Sequence, residues 1–338
     1  MKYSKSLENI KSSADVFSCT VIIVNWNSWD ILSCCLEKLQ QQTFQSFKVL
    51  VIDNASDVPA PDGLISRYPN LTLIQNKSNV GFAAANNQAI KLPDDTEWVV
   101  LLNPDAFAEP DWLERHIDAA RKNPDYAMFA SRKLMDGNQN LLDGDGDVYN
   151  ISGLVWRAGH GRAVNEAAHV PREIFSPCAA AALYRRDALM SVGGFDEDFF
   201  CYVEDVDLGF RLRLMGHRCL LVPSAVVHHI GSATTGVQRS DFSVYHGHRN
   251  LVWTFVKDMP GFLFWLLLPL HVMLNLASII WFAFRGQGRV VWRAKRDALF
   301  GLPKMWRKRQ QIQKSRIARI SDIWRVLDRH LIPKIRKS

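Results

Sequence analysis

From Thr20 onward the chain alternates short apolar runs with helical stretches: TVIIVN, Trp29 to Gln42, FKVLVID, Leu64 to Tyr68, LTLIQN, Phe82 to Leu92 and EWVVLLN. Apolar runs of this kind need cover on both faces, so the pattern predicts βαβ units and a mostly parallel, two-sided sheet. Right-handed crossovers bring the ends of parallel strands to one edge. Three runs end there in polar residues: Asn25, Asp53-Asn54 and Asn103-Pro104-Asp105. In open α/β sheets that edge is where ligands bind. Pro104 lacks an N–H and fixes φ, so the strand from Trp98 to Leu102 must stop, leaving Asp105 at the rim.

With 338 residues, 48% of them apolar, the chain can bury a full core and exceeds one average domain. The formal charge of +7 hides an asymmetry. From Arg285 onward 17 Lys and Arg face 3 Asp and Glu, leaving 24 against 31 before it. The basicity therefore belongs to the C-terminus, and no nucleic-acid partner is expected. The six cysteines show no metal-ligand spacing, and the first 18 residues are too polar for a signal peptide, so a reducing cytoplasm with packed thiols is expected.

Asn27 or Ser28 can cap the first helix, with Asp30 in its first turn. Met135 to Pro177, with its DGNQNLLDGDGD run, has weak periodicity and reads as loops and short hairpins. A helix over about Val203 to Met215 carries Val206, Phe210 and Leu214 on one face and stops at Gly216. Arg218 to Val227 is a further strand, ending at His228-His229. Pro260 to Phe284 is a 25-residue run without formal charge, interrupted by Pro269, His271 and Asn275. Three segments follow: a polar extension over 1–18, a catalytic domain over 19–240 and a helical membrane-associating segment over 241–338.

The rim residues suit a nucleotide and a divalent cation. Asp53 after a buried strand can accept from a base N–H or a ribose hydroxyl, although Asx residues there also make plain turns. Asn79-Val80-Gly81 precedes an Ala-rich helix, so backbone can approach a ligand closely. No GxGxxG and no Walker A is present, which argues against dinucleotide and P-loop binding. Asp105 is the candidate ligand for Mg²⁺ or Mn²⁺, whose shells diphosphate oxygens and water complete; a turn-capping Asp is the alternative. Either His228 or His229 can be a second ligand or a structural histidine. Glu204 and Asp205 stand at a helix start among Phe199, Phe200, Tyr202 and Val203, where an apolar wall can raise a carboxylate toward a general base's range. Asp207 and Arg211, four apart, read as a helix-surface ion pair.

Taken in order, VIIVNWN, VIDNAS, NVGFAAANN, LLNPDA, GGFDEDFFCYVEDVDLGFRLRLMGHR and VVHHIGSAT resemble the family 2 glycosyltransferases of the GT-A fold. The likeness is greatest to the rhamnosyltransferase-like branch that builds bacterial surface polysaccharides. It covers roughly Val21 to Thr235 and, more loosely, the tail through Arg309. The resemblance implies an α/β GT-A sheet with Asn25 and Asp53 against the nucleoside, Asn79 and Gly81 near base or ribose, and Asp105 on the metal. It makes Asp205 the catalytic base of the Glu204-Asp205 pair and puts His228 near the diphosphate or metal. Asn103 stands where the family's Asp-x-Asp motif has its first acid, so this chain has one carboxylate fewer.

The implied reaction is inverting transfer of a sugar, rhamnose favoured, from a nucleotide-diphosphate sugar to a glycan or polyprenyl-linked acceptor. The alternatives are a nucleotidyltransferase acting on sugar phosphates and a catalytically silent membrane scaffold. A nucleotidyltransferase is expected to carry a Gly-rich basic loop where this chain has VNWNSWD. Nucleotide sugars are cytoplasmic, and one crossing cannot leave both flanks of the apolar run on that side. A re-entrant or interfacial pair of short helices is therefore expected, held peripherally or monotopically on the cytoplasmic face of the inner membrane. Arg285 to Lys337 would lie on anionic headgroups.

Overall fold

The computed structural model describes residues 18–231 and 240–330. Most of the polar extension over 1–18, the end of the VVHHIGSAT motif and the last eight residues of the basic tail lie outside the described residues. The first half follows the strand and helix alternation: β1 (Cys19–Asn25), α1 (Trp29–Gln40), β2 (Phe47–Asp53), α2 (Leu64–Arg67), β3 (Leu71–Gln75), α3 (Phe82–Ile90) and β4 (Trp98–Leu102). Then come β5 (Ala106–Ala108), α4 (Trp112–Lys122), β6 (Tyr126–Met135), β7 (Asn138–Gly144), β8 (Asp147–Tyr149), β9 (Val155–Arg157), β10 (Arg172–Ile174) and β11 (Ala181–Arg185). The remainder is α5 (Arg186–Ser191), α6 (Glu204–Leu214), β12 (Arg218–His229), α7 (Asp241–Asp258), α8 (Gly261–Ala283), α9 (Gly288–Ser315) and α10 (Ile320–Val326).

The main sheet has the order β10-β12-β6-β11-β4-β1-β2-β3, with β5 added to β12 and β7 to β6. β1 pairs in parallel with β2 and β4, β2 with β3, and β6 with β12. β11 is antiparallel to both its neighbours and divides the two parallel blocks. Successive side chains point to opposite faces, so β1 sends Val21 and Ile23 under α1 and α4, and Ile22 toward α3, α5 and α6. Gly216 takes φ +90° after α6, the left-handed stop its position predicts. Ser28 does flank α1, but its hydroxyl donates to Asn25 Oδ1 at 2.9 Å and makes no capping bond.

A third core joins the far face of α6 (Val206, Phe210, Leu214) to Tyr149, Phe175 and the tail helices. The tail thus packs on α6 and on the segments carrying Tyr149 and Phe175. It also buries the pair read as superficial: Asp207 is fully enclosed, bonded to Arg211 Nε at 2.8 Å on one oxygen and paired with Lys257 of α7 on the other.

The apolar run forms one continuous helix, α8, with Pro269 inside it, where two short helices were expected. α8 lies against α7 and α9, and its buried residues, Leu263, Phe264, Leu267 and His271, fall in its first half. Tyr245 bonds Asp297, Trp253 bonds the Ala298 carbonyl and Gln313 bonds the Asp258 carbonyl, so α7 and α9 run the same way. Phe264 meets Trp306 and Phe282 meets His248, so α8 runs back against both. Of the polar interruptions, His271 faces inward. His271 stacks on Phe255 at 4.0 Å and bonds the Ser152 carbonyl, and Asn275 donates to the His271 carbonyl.

Candidate functional site

The register of β1 against β2 sets Asn25 opposite Asp53, and both are buried at the strand ends. Asn25 Nδ2 donates to Asp53 Oδ1 at 3.2 Å, and Ser56 Oγ donates to the same oxygen at 2.6 Å. Asn79 serves the adjoining loop: its Oδ1 accepts from Asn54 Nδ2 at 2.8 Å and from the Gly81 amide at 2.9 Å. Gly81 has φ +86°, and a Cβ there would stand 2.5 Å from the Phe200 ring and 2.8 Å from its carbonyl. The glycine lets the segment before α6 close on the start of α3. Gly81→Ala is expected to cost about 2–5 kcal/mol, from left-handed strain plus overpacking, read by denaturant unfolding. An unchanged midpoint would show that the contact yields freely.

β5 pairs antiparallel with β12, Ala106 opposite His229 and Phe107 opposite His228. Adjacent strand residues face opposite ways, so one histidine of the pair can meet Asp105. It is His229, whose Nε2 lies 3.5 Å from Asp105 Oδ1. His228 Nε2 turns to Glu109, 2.6 Å away. Of the two histidines it is thus His229, and not the expected His228, that lies beside Asp105. His229 Nδ1 in turn bonds Asp143 Oδ2 at 2.9 Å, and the Lys133 ammonium lies 3.7 Å from that oxygen. Burial opposes a charged ring at His229, but its bonds to Asp105 and Asp143 raise its pKa. Burial likewise works against an ionised Asp143, yet Lys133, His229 and Arg157 hold it well below the usual carboxylate range.

A buried carboxylate beside an imidazole whose second nitrogen is bound to another carboxylate is the donor set of a carboxylate–histidine–metal site. Among the described residues no three His, Cys, Asp or Glu group into a closed cage. Mg²⁺ and Mn²⁺ do not need one when substrate phosphates and water complete the shell, so these residues fit a cation brought in with a diphosphate. Asn103 lies at the same turn, its amide bonded to the Ala180 carbonyl at 2.8 Å.

Across the edge, α6 begins at Glu204 after three non-glycine residues with positive φ: Phe200 at 64°, Tyr202 at 64° and Val203 at 69°. Asp205 is half-buried. Its Oδ2 accepts from the Ala179 amide at 3.1 Å and its Oδ1 from the Val206 amide at 2.9 Å. Glu204 is buried, and that burial, then the Asp205 charge, pushes its carboxyl well above the usual range. Asp147 is pushed up to about 8, by burial first and by Asp205 next. Asp143 and Asp147 were missed in the sequence, where LDGDGD read as loop. The signal was the i, i+2, i+4 spacing of Asp143, Asp145 and Asp147, all three buried. Asp145 is structural, held by Arg132 at 2.9 and 3.0 Å.

A family model described as "Glycosyl transferase family 2" matches residues 20–193, ending before α6 and β12. The chain is 30% identical over 263 residues to the N-acetylglucosaminyl-diphospho-decaprenol L-rhamnosyltransferase of Mycobacterium tuberculosis, covering 70% of this chain and 83% of that protein. To the rhamnosyltransferase WbbL of Escherichia coli K12 it is 28% identical over 218 residues, covering 60% of this chain and 80% of that protein. Two solved structures share the fold. A GalNAc-T7 structure with UDP, GalNAc and Mn²⁺ gives a TM-score of 0.58 at 14% identity, covering 72% of this chain and 48% of that one. The mannosyltransferase PcManGT of Pyrobaculum calidifontis, in complex with GDP-Man and Mn²⁺, gives 0.53 at 18% identity, covering 88% and 84%.

Proposed function

The chain belongs to glycosyl transferase family 2, and from that premise we propose that it moves a rhamnosyl group, with inversion, from a nucleotide-diphosphate sugar to a lipid-linked glycan acceptor. It is a glycosyltransferase of GT-A type, which removes the nucleotidyltransferase and silent-scaffold alternatives. The rhamnosyl donor and lipid-linked acceptor rest on the activities for which the two bacterial relatives are named.

The observation that carries the mechanism is the pairing across one edge of Asp105 with His229 and of Asp205 with its two amide donors. Asn25 and Asp53 offer the nucleoside a buried polar floor. Asp105 and His229 would hold a divalent cation, which when bound neutralises the departing diphosphate. The acceptor hydroxyl oxygen attacks the anomeric carbon as Asp205 takes its proton. The bond from that carbon to the diphosphate breaks on the opposite face, and no covalent enzyme intermediate forms. Burial, then the Asp205 charge, disfavours the ionised form of Glu204, so Asp205 is the member of the pair that takes the proton in this reading. The test is a screen of nucleotide sugars with a polyprenyl-diphosphate N-acetylglucosamine acceptor. Nucleoside diphosphate release is expected first from deoxythymidine-diphosphate rhamnose, and release from no donor would overturn the proposal.

The tail supports a monotopic place on the cytoplasmic face of the inner membrane. The most apolar window of α8 has mean hydropathy 2.0 and is 22% buried, and Phe262, Trp265, Leu266, Met273, Leu276 and Trp281 are exposed along it. A crossing α8 would have to take α9, with nine Lys and Arg, into the hydrocarbon, which is too costly. Lying flat, α8 buries its outer face in the interface while the basic residues of α9 reach anionic headgroups. Vesicle flotation is expected to require anionic lipid and to fall when Trp265 and Leu266 are replaced by Ser. Absence of flotation from wild-type protein would place it off the membrane, and flotation that ignores both changes would rule out α8 and the basic face as the contact.

A further inference from the structure

An aromatic cluster stands beside α6, apart from the Asp105–His229 pair. Phe200 stacks on His246 of α7 with ring centres 5.4 Å apart and 23° between planes. Phe242, in the first turn of α7, meets His246 at 4.6 Å, Phe200 at 6.2 Å and Tyr202 at 6.3 Å. Packing of this kind usually closes a core, yet Phe242 is 44% exposed.

The backbone beneath the cluster is held in an unfavourable shape. Positive φ at Phe200 and Tyr202 costs of order 1–3 kcal/mol each and persists only where the surroundings over-determine it. α7 does so: Asn250 Nδ2 donates to the carbonyls of Phe199, Cys201 and Tyr202 at 3.0, 2.9 and 2.7 Å. Arg249 adds bonds to the Asp198 and Phe199 carbonyls at 3.1 and 3.0 Å. The fold thus spends a buried asparagine on presenting two aromatic rings immediately before Glu204 and Asp205.

The position lies between two surfaces already described. On one side Phe200 closes on Gly81, at the donor end of α3. On the other, Asp241 accepts from Gln287 at 2.8 Å, so Phe242 stands beside the turn joining α8 to α9 and its exposed apolar face. The rings thus stand between the α8–α9 turn and the start of α6, which carries Asp205.

We infer that Tyr202 and Phe242, backed by Phe200 and His246, form the stacking platform for the acceptor's sugar ring. The inference rests on the glycosyltransferase reading of the site. A pyranose offers a face of polarised C–H groups that matches the negative face of an aromatic ring, and the platform orients the ring so that one hydroxyl meets Asp205.

The test measures acceptor KM for Phe242→Ala, Tyr202→Ala and Phe242→Trp, using a short-chain, detergent-free polyprenyl-diphosphate N-acetylglucosamine. Nucleoside diphosphate affinity and vesicle flotation are followed alongside. Each alanine is expected to raise acceptor KM roughly tenfold with nucleoside diphosphate affinity retained, and Phe242→Trp to restore it. An acceptor KM within twofold of wild type in both folded alanine variants overturns the platform. Loss of flotation without a change in KM overturns it too, because Phe242 would then be a lipid anchor. Wild-type protein that consumes donor without any acceleration by acceptor would instead refute the underlying glycosyltransfer reading.

Discussion

Asp205→Asn is expected to lower transfer by ~10²-fold or more while leaving nucleotide binding intact, because the amide keeps the shape but cannot take the acceptor's proton. The position is well suited to the role: two backbone amides hold the carboxylate from Ala179 and Val206, so its geometry does not depend on the substrate. Glu204→Gln is the control. Burial works against a charged Glu204, so its amide replacement is expected to be mild.

The same substitution carries a stability signature with a definite sign. Asp147 is pushed up to about 8 in the folded chain, by burial and then by the Asp205 charge. A carboxyl raised on folding favours the fold fully below its unfolded value near 3.8, and that contribution is lost as pH rises toward about 8. Removing the Asp205 charge lowers the upper edge of that window. Asp205→Asn is therefore expected to melt higher than wild type at pH 7 to 8 and to differ less at pH 4. A variant retaining more than about a tenth of the rate would exclude Asp205 as the base.

The second large effect is expected at the other end of the site. Asp105→Ala and His229→Gln should each weaken Mn²⁺ binding in the presence of nucleoside diphosphate by about 10–100-fold, read by calorimetry as well as by activity. His228→Gln should leave that affinity unchanged, since its ring faces Glu109. Asn103→Asp should strengthen it by adding the carboxylate that this chain lacks. Equal metal affinity in the His228 and His229 variants would move the cation away from Asp105 altogether.

Much of the sheet was legible in the chain because its cause is local. Val21 to Val24, Val49 to Ile52 and Trp98 to Leu102 are apolar on both faces, and such runs are stable only under helices on each side. Pro104 ends β4 by its own covalent geometry, so the rim position of Asp105 followed from the sequence. Acidic, glycine-rich LDGDGD was illegible for the opposite reason. Its burial depends on Lys133, Arg132 and Arg157, which no local rule connects to it.

The histidine pair marks the boundary most clearly. Sequence placed both rings after an apolar strand, and two residues one apart on a strand are equivalent until a partner fixes their faces. The pairing of His229 with Ala106, a contact between segments more than a hundred residues apart, broke that equivalence. Tertiary packing likewise placed His271 on the inner side of the apolar helix, where it meets Phe255 of α7 and the Ser152 carbonyl. It also buried Asp207 and Arg211 beneath α7, where spacing alone put them on the surface. Sequence by itself determined the strands and helices from Cys19 to Leu102 and which chemical groups stand at those strand ends, because backbone sterics and hydrophobic period act over a few residues. Which of those groups meet, and in what charge state, was decided by register and burial, which exist only once distant segments have packed.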